Sequence, residues 1–243
     1  MVRKVDYDLR KKDVLSKTID LYLGTAQPVG SEALLDNYRF DLSPATIRNV
    51  LKDLEEEGYL MHPHTSSGRV PTDLGYKFYV NDLMRKTQLS VNEKDTLRSF
   101  FDSYLEMKRD ILENASHILS DFTHYVGIVN EEDDNRIYYC GWSYLLEQPE
   151  FQDVNTISSI FKALEEDRLL DLMNRKMNNS LEVFVGKDCD SLGFNNCSLV
   201  IRECKSPKAK KSGRLAVLGP KRMAYDRVIP MMDYLSELVI SEF

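Results

Sequence analysis

The stretch DLSPATIRNVLKDLEEEGYLMHPHTSSGRVPT, residues 41–72, decides how this chain is read. Ser43 is a side-chain cap, Pro44 suits the first helical position, and helix formers follow, so a helix is expected to start here. Ile47, Val50, Leu51 and Leu54 recur at spacings of three and four, which places them on one face toward a core. Ala45, Arg48, Asn49 and Lys52 fall on the other face. Gly58 supplies a stop, and Tyr59 to Met61 with Gly68 to Val70 reads as a short strand pair joined by a turn. A capped helix followed at once by a small β-wing is the layout of a winged helix-turn-helix.

The residues before it complete that layout. A first helix is expected over Leu9 to Leu23, with Val14, Thr18, Leu21 and Tyr22 as its stripe, and Gln27-Pro28-Val29-Gly30 breaks it. Ser31 is positioned to cap a short second helix through Asn37, with Leu34 and Leu35 inward. After the wing, Thr72 caps a helix reaching about Lys86, with Leu74, Phe78 and Leu83 facing inward.

The run PVGSEALL, then SPATIRN, LEEEGYL and PHTSSGRVPTDLGYKFYV resembles the heat-inducible transcription repressor HrcA family. The resemblance resumes in LEQPEFQDV, LEVFVGKD, NNCSLVI and LAVLGPKRMAYDRVIPMMDYLSEL, which are similar to the C-terminal, GAF-like part of that family. It implies repression of bacterial chaperone genes, through an inverted-repeat operator of the CIRCE type bound by a homodimer. It further implies that the chaperonin GroEL keeps the repressor competent, with no cofactor. TSSGR stands where the family more often has TSAGR. A larger departure lies between Gly127–Val129 and Leu145–Phe151, where the family carries further strands and an inserted dimerising domain. Only about fifteen residues stand here. The expected form is therefore a shortened variant whose dimer uses the long helical stretch from Val91 to Phe122 or the sheet.

The DNA contacts expected of such a unit follow from the groups it presents. Arg48 offers a fork suited to guanine, Asn49 suits adenine or phosphate, and Thr46 meets a thymine methyl or a phosphate oxygen. Ser43, Ala45 and Lys52 share the helix start and its outer face, where free N–H groups favour phosphate. In the wing, Arg69 is expected at the DNA backbone or minor groove, helped by His64, Thr65, Ser66 and Ser67.

Charge qualifies this picture. The chain of 243 residues carries a formal net charge of −7, and nucleic-acid binders usually show a basic patch. Residues 1–86 hold 13 Lys and Arg against 13 Asp and Glu, leaving 19 against 26 for the rest. The N-terminal third is neutral rather than acidic. Asp53, Glu55, Glu56 and Glu57 cluster at the C-terminal end of the recognition helix, away from the end that usually reads bases. Arg3, Lys4, Arg10, Lys11 and Lys12 gather before the first helix and permit a phosphate-facing surface.

Three regions are expected: residues 1–86 as the DNA-binding domain, 87–122 as a connecting and dimerisation helix, and 123–243 as a GAF-like α+β domain with a mainly antiparallel sheet. Ser90 with Glu93 is a capping box, and Leu97, Phe101, Tyr104, Ile111, Ala115, Ile118 and Phe122 mark one long helix or two stacked ones, interrupted by Lys108. Strands are expected over Tyr125–Val129, Arg136–Leu146, Leu181–Val185, Cys197–Glu203 and Arg214–Leu218. Helices are expected over Asn155–Leu164, Asp167–Lys176 and Asp226–Ser241, and Lys205 to Ser212 reads as a basic hairpin loop.

Other chemistry is weakly signalled. Cys140, Cys189, Cys197 and Cys204 form no CxxC pair, and His62 with His64 lacks the further ligands of a metal site. An enzyme would have to pair Cys140 or Cys189 with His117 or His124, without a nucleophile elbow or a phosphate loop. A winged-helix regulator sensing a small molecule is the stronger alternative. No apolar run approaches a membrane span and the first residues lack an apolar leader core, so the expected location is the cytoplasm.

Overall fold

In the computed structural model, the described residues are 2–63, 68–85, 87–106, 111–131, 136–193, 195–205 and 212–242. The chain forms two compact units, Met1–Arg85 and Lys86–Phe243. That division falls one residue from the expected boundary.

The first unit contains α1 (Val2–Thr25), α2 (Ser31–Asn37), α3 (Pro44–Glu56), β1 (Leu60–Met61), β2 (Val70–Pro71) and α4 (Asp73–Phe78). The helix α1 starts earlier than expected, so the basic residues read as preceding it lie on it. It buries Val14, Leu15, Thr18 and Ile19, with Leu21 and Tyr22 only half-buried. The cap of α2 is Gly30, not Ser31, whose side chain is buried inside the first turn. The wing strands pair antiparallel, Leu60 opposite Pro71 and Met61 opposite Val70. Thr72 caps α4 by accepting from Gly75 N–H, as expected. The inward face of α4 differs from the expected one. Leu74 is half exposed, and the buried residues are Tyr76, Tyr79 and Val80. The helix passes into a π-turn over Tyr79–Leu83, whose extra residue shifts Leu83 off the 3.6-residue stripe.

The second unit begins with α5 (Val91–Glu106) and α6 (Ile111–Thr123), so the long apolar stripe is divided between two helices. Lys108 lies outside the described residues. Ser90 and Glu93 close the expected capping box, since Ser90 N–H donates to the Glu93 carboxylate and Glu93 N–H to Ser90 Oγ. Then follow β3 (Val126–Glu131), β4 (Ile137–Cys140), α7 (Trp142–Glu147), α8 (Val154–Glu165), α9 (Arg168–Asn174), β5 (Leu181–Val185), β6 (Cys197–Lys205), β7 (Ser212–Pro220) and α10 (Tyr225–Glu242). The five strands form one sheet in the order β4-β3-β7-β6-β5, with every pairing antiparallel.

Alternate residues of these strands face two layers of helix. Val126, Ile128, Leu199, Ile201, Ala216 and Leu218 share a core with Leu145, Phe151, Ile160, Leu169 and Met173 of the α7–α9 side. On the opposite face α6 packs over β3 and β4, and α10 packs over β6. Two polar links fasten the layers. Buried Arg214 donates to the carbonyls of Met173 and Arg175, which terminates α9 against β7. Tyr225 donates to Lys221 O at 2.7 Å and bonds Ser198 Oγ at 2.6 Å, fixing the start of α10 to β6.

One sequence expectation fails here. Arg136–Leu146 is not a single strand. Gly141, at φ 91°, turns β4 into α7. A Cβ there would stand 2.0 Å from Ser120 Oγ and 2.6 Å from Tyr125 O, so the chain needs glycine both for the left-handed turn and for the approach of α6. The basic loop lies mostly outside the described residues.

Candidate nucleic-acid interface

The helix α3 presents the expected surface. Ile47, Val50, Leu51 and Leu54 are buried, which leaves Ala45, Arg48, Asn49 and Lys52 exposed along one outer face. Ser43 Oγ accepts from Thr46 N–H at 3.1 Å and also contacts Thr46 Oγ1 at 2.9 Å. Thr46 is half-buried, so part of its hydroxyl capacity is spent on the cap. Arg48 and Asn49 stand one turn further on, exposed and on the side away from the core. His64, Thr65, Ser66 and Ser67 lie outside the described residues.

Arg69, expected at the DNA backbone or minor groove, has a partner within the protein. It is drawn back to α3, with Nε 2.9 Å from Glu55 Oε2, and its side chain is only 14% exposed. Its backbone is equally committed. Arg69 N–H donates to Val29 O at 2.9 Å and Val29 N–H donates to Arg69 O at 2.8 Å, an isolated antiparallel bridge between the wing and the loop before α2. Gly68 is buried beside it, and a Cβ at Gly68 would lie 2.6 Å from the backbone C and O of Pro28.

Three of the acids at the C-terminal end of α3 are turned toward a cation. Glu55 takes Arg69, Glu56 lies 3.5 Å from Lys52 one turn back, and Glu57 takes Lys11 of α1. This limits the repulsion that a bare acidic run would exert on a phosphate backbone. Lys12 and Lys17, in turn, sit over the rings of Phe78 and Phe40, at 5.6 and 4.3 Å from the centroids. Several α1 cations are therefore engaged in packing this unit, not only held out as a basic surface.

The comparisons with known proteins bear on both units. A family model described as the HrcA protein C terminal domain matches residues 129–229. The heat-inducible transcription repressor HrcA of Geobacter sulfurreducens is 29% identical over 337 aligned positions, covering 96% of this chain and 97% of that protein. The chain is similar to HrcA repressors along nearly its whole length. The HrcA of Desulforamulus reducens is 40% identical over a shorter span of 132 residues, 54% of this chain and 38% of that one. A solved crystal structure of a hypothetical protein superposes with a TM-score of 0.77 at 18% identity, over 96% of this chain and 98% of the other. At that identity the likeness speaks to fold alone, and it supports the winged-helix and GAF-like architecture. The Geobacter alignment runs to 337 positions and this chain has 243 residues, so at least 94 positions of the relative have no counterpart here.

Two further features of this chain lie in its second unit. Cys140 Sγ and His117 Nδ1 are 3.2 Å apart, the pairing an enzyme would have needed. Burial pushes the Cys140 thiol up and the Asp121 carboxylate adds to that rise, so the pair holds a protonated thiol instead of an activated nucleophile. A cavity of about 590 Å³ opens between the start of α5, the end of α6 and the start of α10. Leu97, Phe122, Val228 and Met231 give it an apolar lining, and His124 and Arg227 a polar one. No sequence pattern marks it, because its residues come from three separate elements. Among the described residues no group of three His, Cys, Asp or Glu side chains is placed to hold a metal, and no helix is long and apolar enough to cross a membrane.

Proposed function

We propose that this protein is a DNA-binding transcriptional repressor of heat-shock genes, acting in the cytoplasm as a homodimer on a CIRCE-type inverted repeat. The observation that carries this reading is the outer face of α3, with Arg48, Asn49 and Lys52 exposed on a winged helix in an HrcA-family chain. Arg48 would read a guanine through its planar fork and Asn49 an adenine, while the capped helix start faces phosphate. Occupancy of the operator excludes polymerase. Release on heating would follow loss of a chaperonin of the GroEL type that keeps the protein competent.

Gel-shift titration on DNA from a chaperonin promoter, with and without GroEL, tests this reading. The expected result is a shift on the inverted repeat that strengthens with GroEL; equal retention of scrambled DNA would defeat the operator assignment. The cavity of about 590 Å³ favours a second reading, in which a small effector governs release, because its size suits a small ligand. A thermal-shift screen of metabolites against the purified protein separates the two: a stabilising hit whose effect disappears in Met231→Trp supports the effector.

A further inference from the structure

The sequence assigns Arg69 to DNA. Its surroundings assign it to something else. It is held at three points: its guanidinium by Glu55 of the recognition helix, its backbone by the two-way bridge to Val29, and its preceding residue by close approach to Pro28. A side chain 14% exposed and already paired with a carboxylate cannot also serve phosphate without breaking that pair. An anion competing for it would have to leave Glu55, itself only 31% exposed, without its cation. Leaving a partly buried charge unpaired is costly.

We propose that Glu55 and Arg69 are positioning residues that set the root of the wing on the recognition helix, and that Arg69 makes no phosphate contact. This rests on the DNA-binding reading above. The pair converts a rigid element, α3, into the reference from which the wing leaves. The Val29 bridge then ties the same root to the turn that fixes α2. Recognition helix and wing approach DNA together, so an error at the root displaces both contact surfaces relative to the groove. Glu55, one of the acids at the end of α3 away from the bases, becomes necessary for tight binding. Its neighbours Glu56 and Glu57, which pair with Lys52 and Lys11, do not touch the wing root and are outside the assignment.

The two roles of Arg69 predict opposite results. Operator affinity of the full chain is measured over a range of salt for wild type, Arg69→Ala, Glu55→Gln and the double variant. If the pair positions the wing, both single variants weaken binding by a similar factor, on the order of ten-fold. The double variant is then no worse than either, and the log–log salt slope stays at the wild-type value. A phosphate contact would instead lower the slope by about 0.9 in Arg69→Ala, and Glu55→Gln, by freeing Arg69, would bind as tightly as wild type or tighter; either result overturns the proposal. The same variants are also unfolded by heat without DNA. Losses that are less than additive are expected, and additive losses reject the clamp. If wild type binds no operator, the repressor reading fails while this thermal cycle still decides whether the clamp exists.

Discussion

At Arg48 the structure and the charge balance combine into a single demand. Residues 1–86 carry no net charge, and Glu55, Glu56 and Glu57 are turned toward cations, so in the proposed repressor sequence preference rests on a few exposed side chains of α3. Arg48→Ala is expected to cost on the order of 1–3 kcal/mol on the preferred operator and to relax preference at one base pair. Uniform weakening across all DNA sequences would make Arg48 a phosphate contact. Ser43 carries a different burden. Its Oγ already accepts the Thr46 N–H, so Ser43→Ala should lower the stability of the first unit by about 1 kcal/mol in thermal or denaturant unfolding. Unchanged stability with lost DNA binding would show that the hydroxyl serves phosphate and not the cap.

Elements whose periodicity is regular were legible before the fold was known, and those governed by a single backbone turn were not. The face of α3, the extent of α2, the Ser90–Glu93 box and strand β5 follow from spacing and capping chemistry, because each is decided within one or two turns of chain. The strand expected over Arg136–Leu146 failed at Gly141, whose need is set by α6 and Tyr125, distant in sequence. The place of Leu83 is shifted by a π-turn, and the intraprotein partners of Arg69, Glu55 and Val29, lie 14 and 40 residues away, beyond the reach of local spacing. Site residues were readable by type, and their commitments to other protein groups were not. Gly141→Ala tests the first of these points. It places a methyl group against Ser120 and Tyr125 O in a left-handed conformation, and should destabilise the second unit by roughly 3 kcal/mol. Circular dichroism melting is the measurement, and a shift within error would mean that α6 yields easily.

Across the whole molecule, neutral residues 1–86 and acidic residues 87–243, which account for the entire −7, leave little general attraction for DNA. A monomer with three or four contacts on one half-site would bind weakly. Affinity at cellular concentration then has to come from two recognition helices acting at once, where the second contact is made at the effective concentration set by the first. In the proposed homodimer, with at least 94 positions of the Geobacter relative unmatched in this chain, the joint between the two copies would be built from the remaining helices and sheet. The geometry of an inverted repeat makes this measurable. Half-sites read from one face of the duplex lie about 34–36 Å apart, or a multiple of that. Inserting about half a helical turn, roughly 5 bp, puts the second half-site on the opposite face. Affinity should fall by about 10²–10⁴-fold, to that of a single half-site, and a full-turn insertion should restore part of it if the joint is compliant. Binding that ignores half-turn insertion would mean that each copy acts alone, and that contacts on α3 or in the wing beyond Arg48, Asn49 and Lys52 supply the missing affinity.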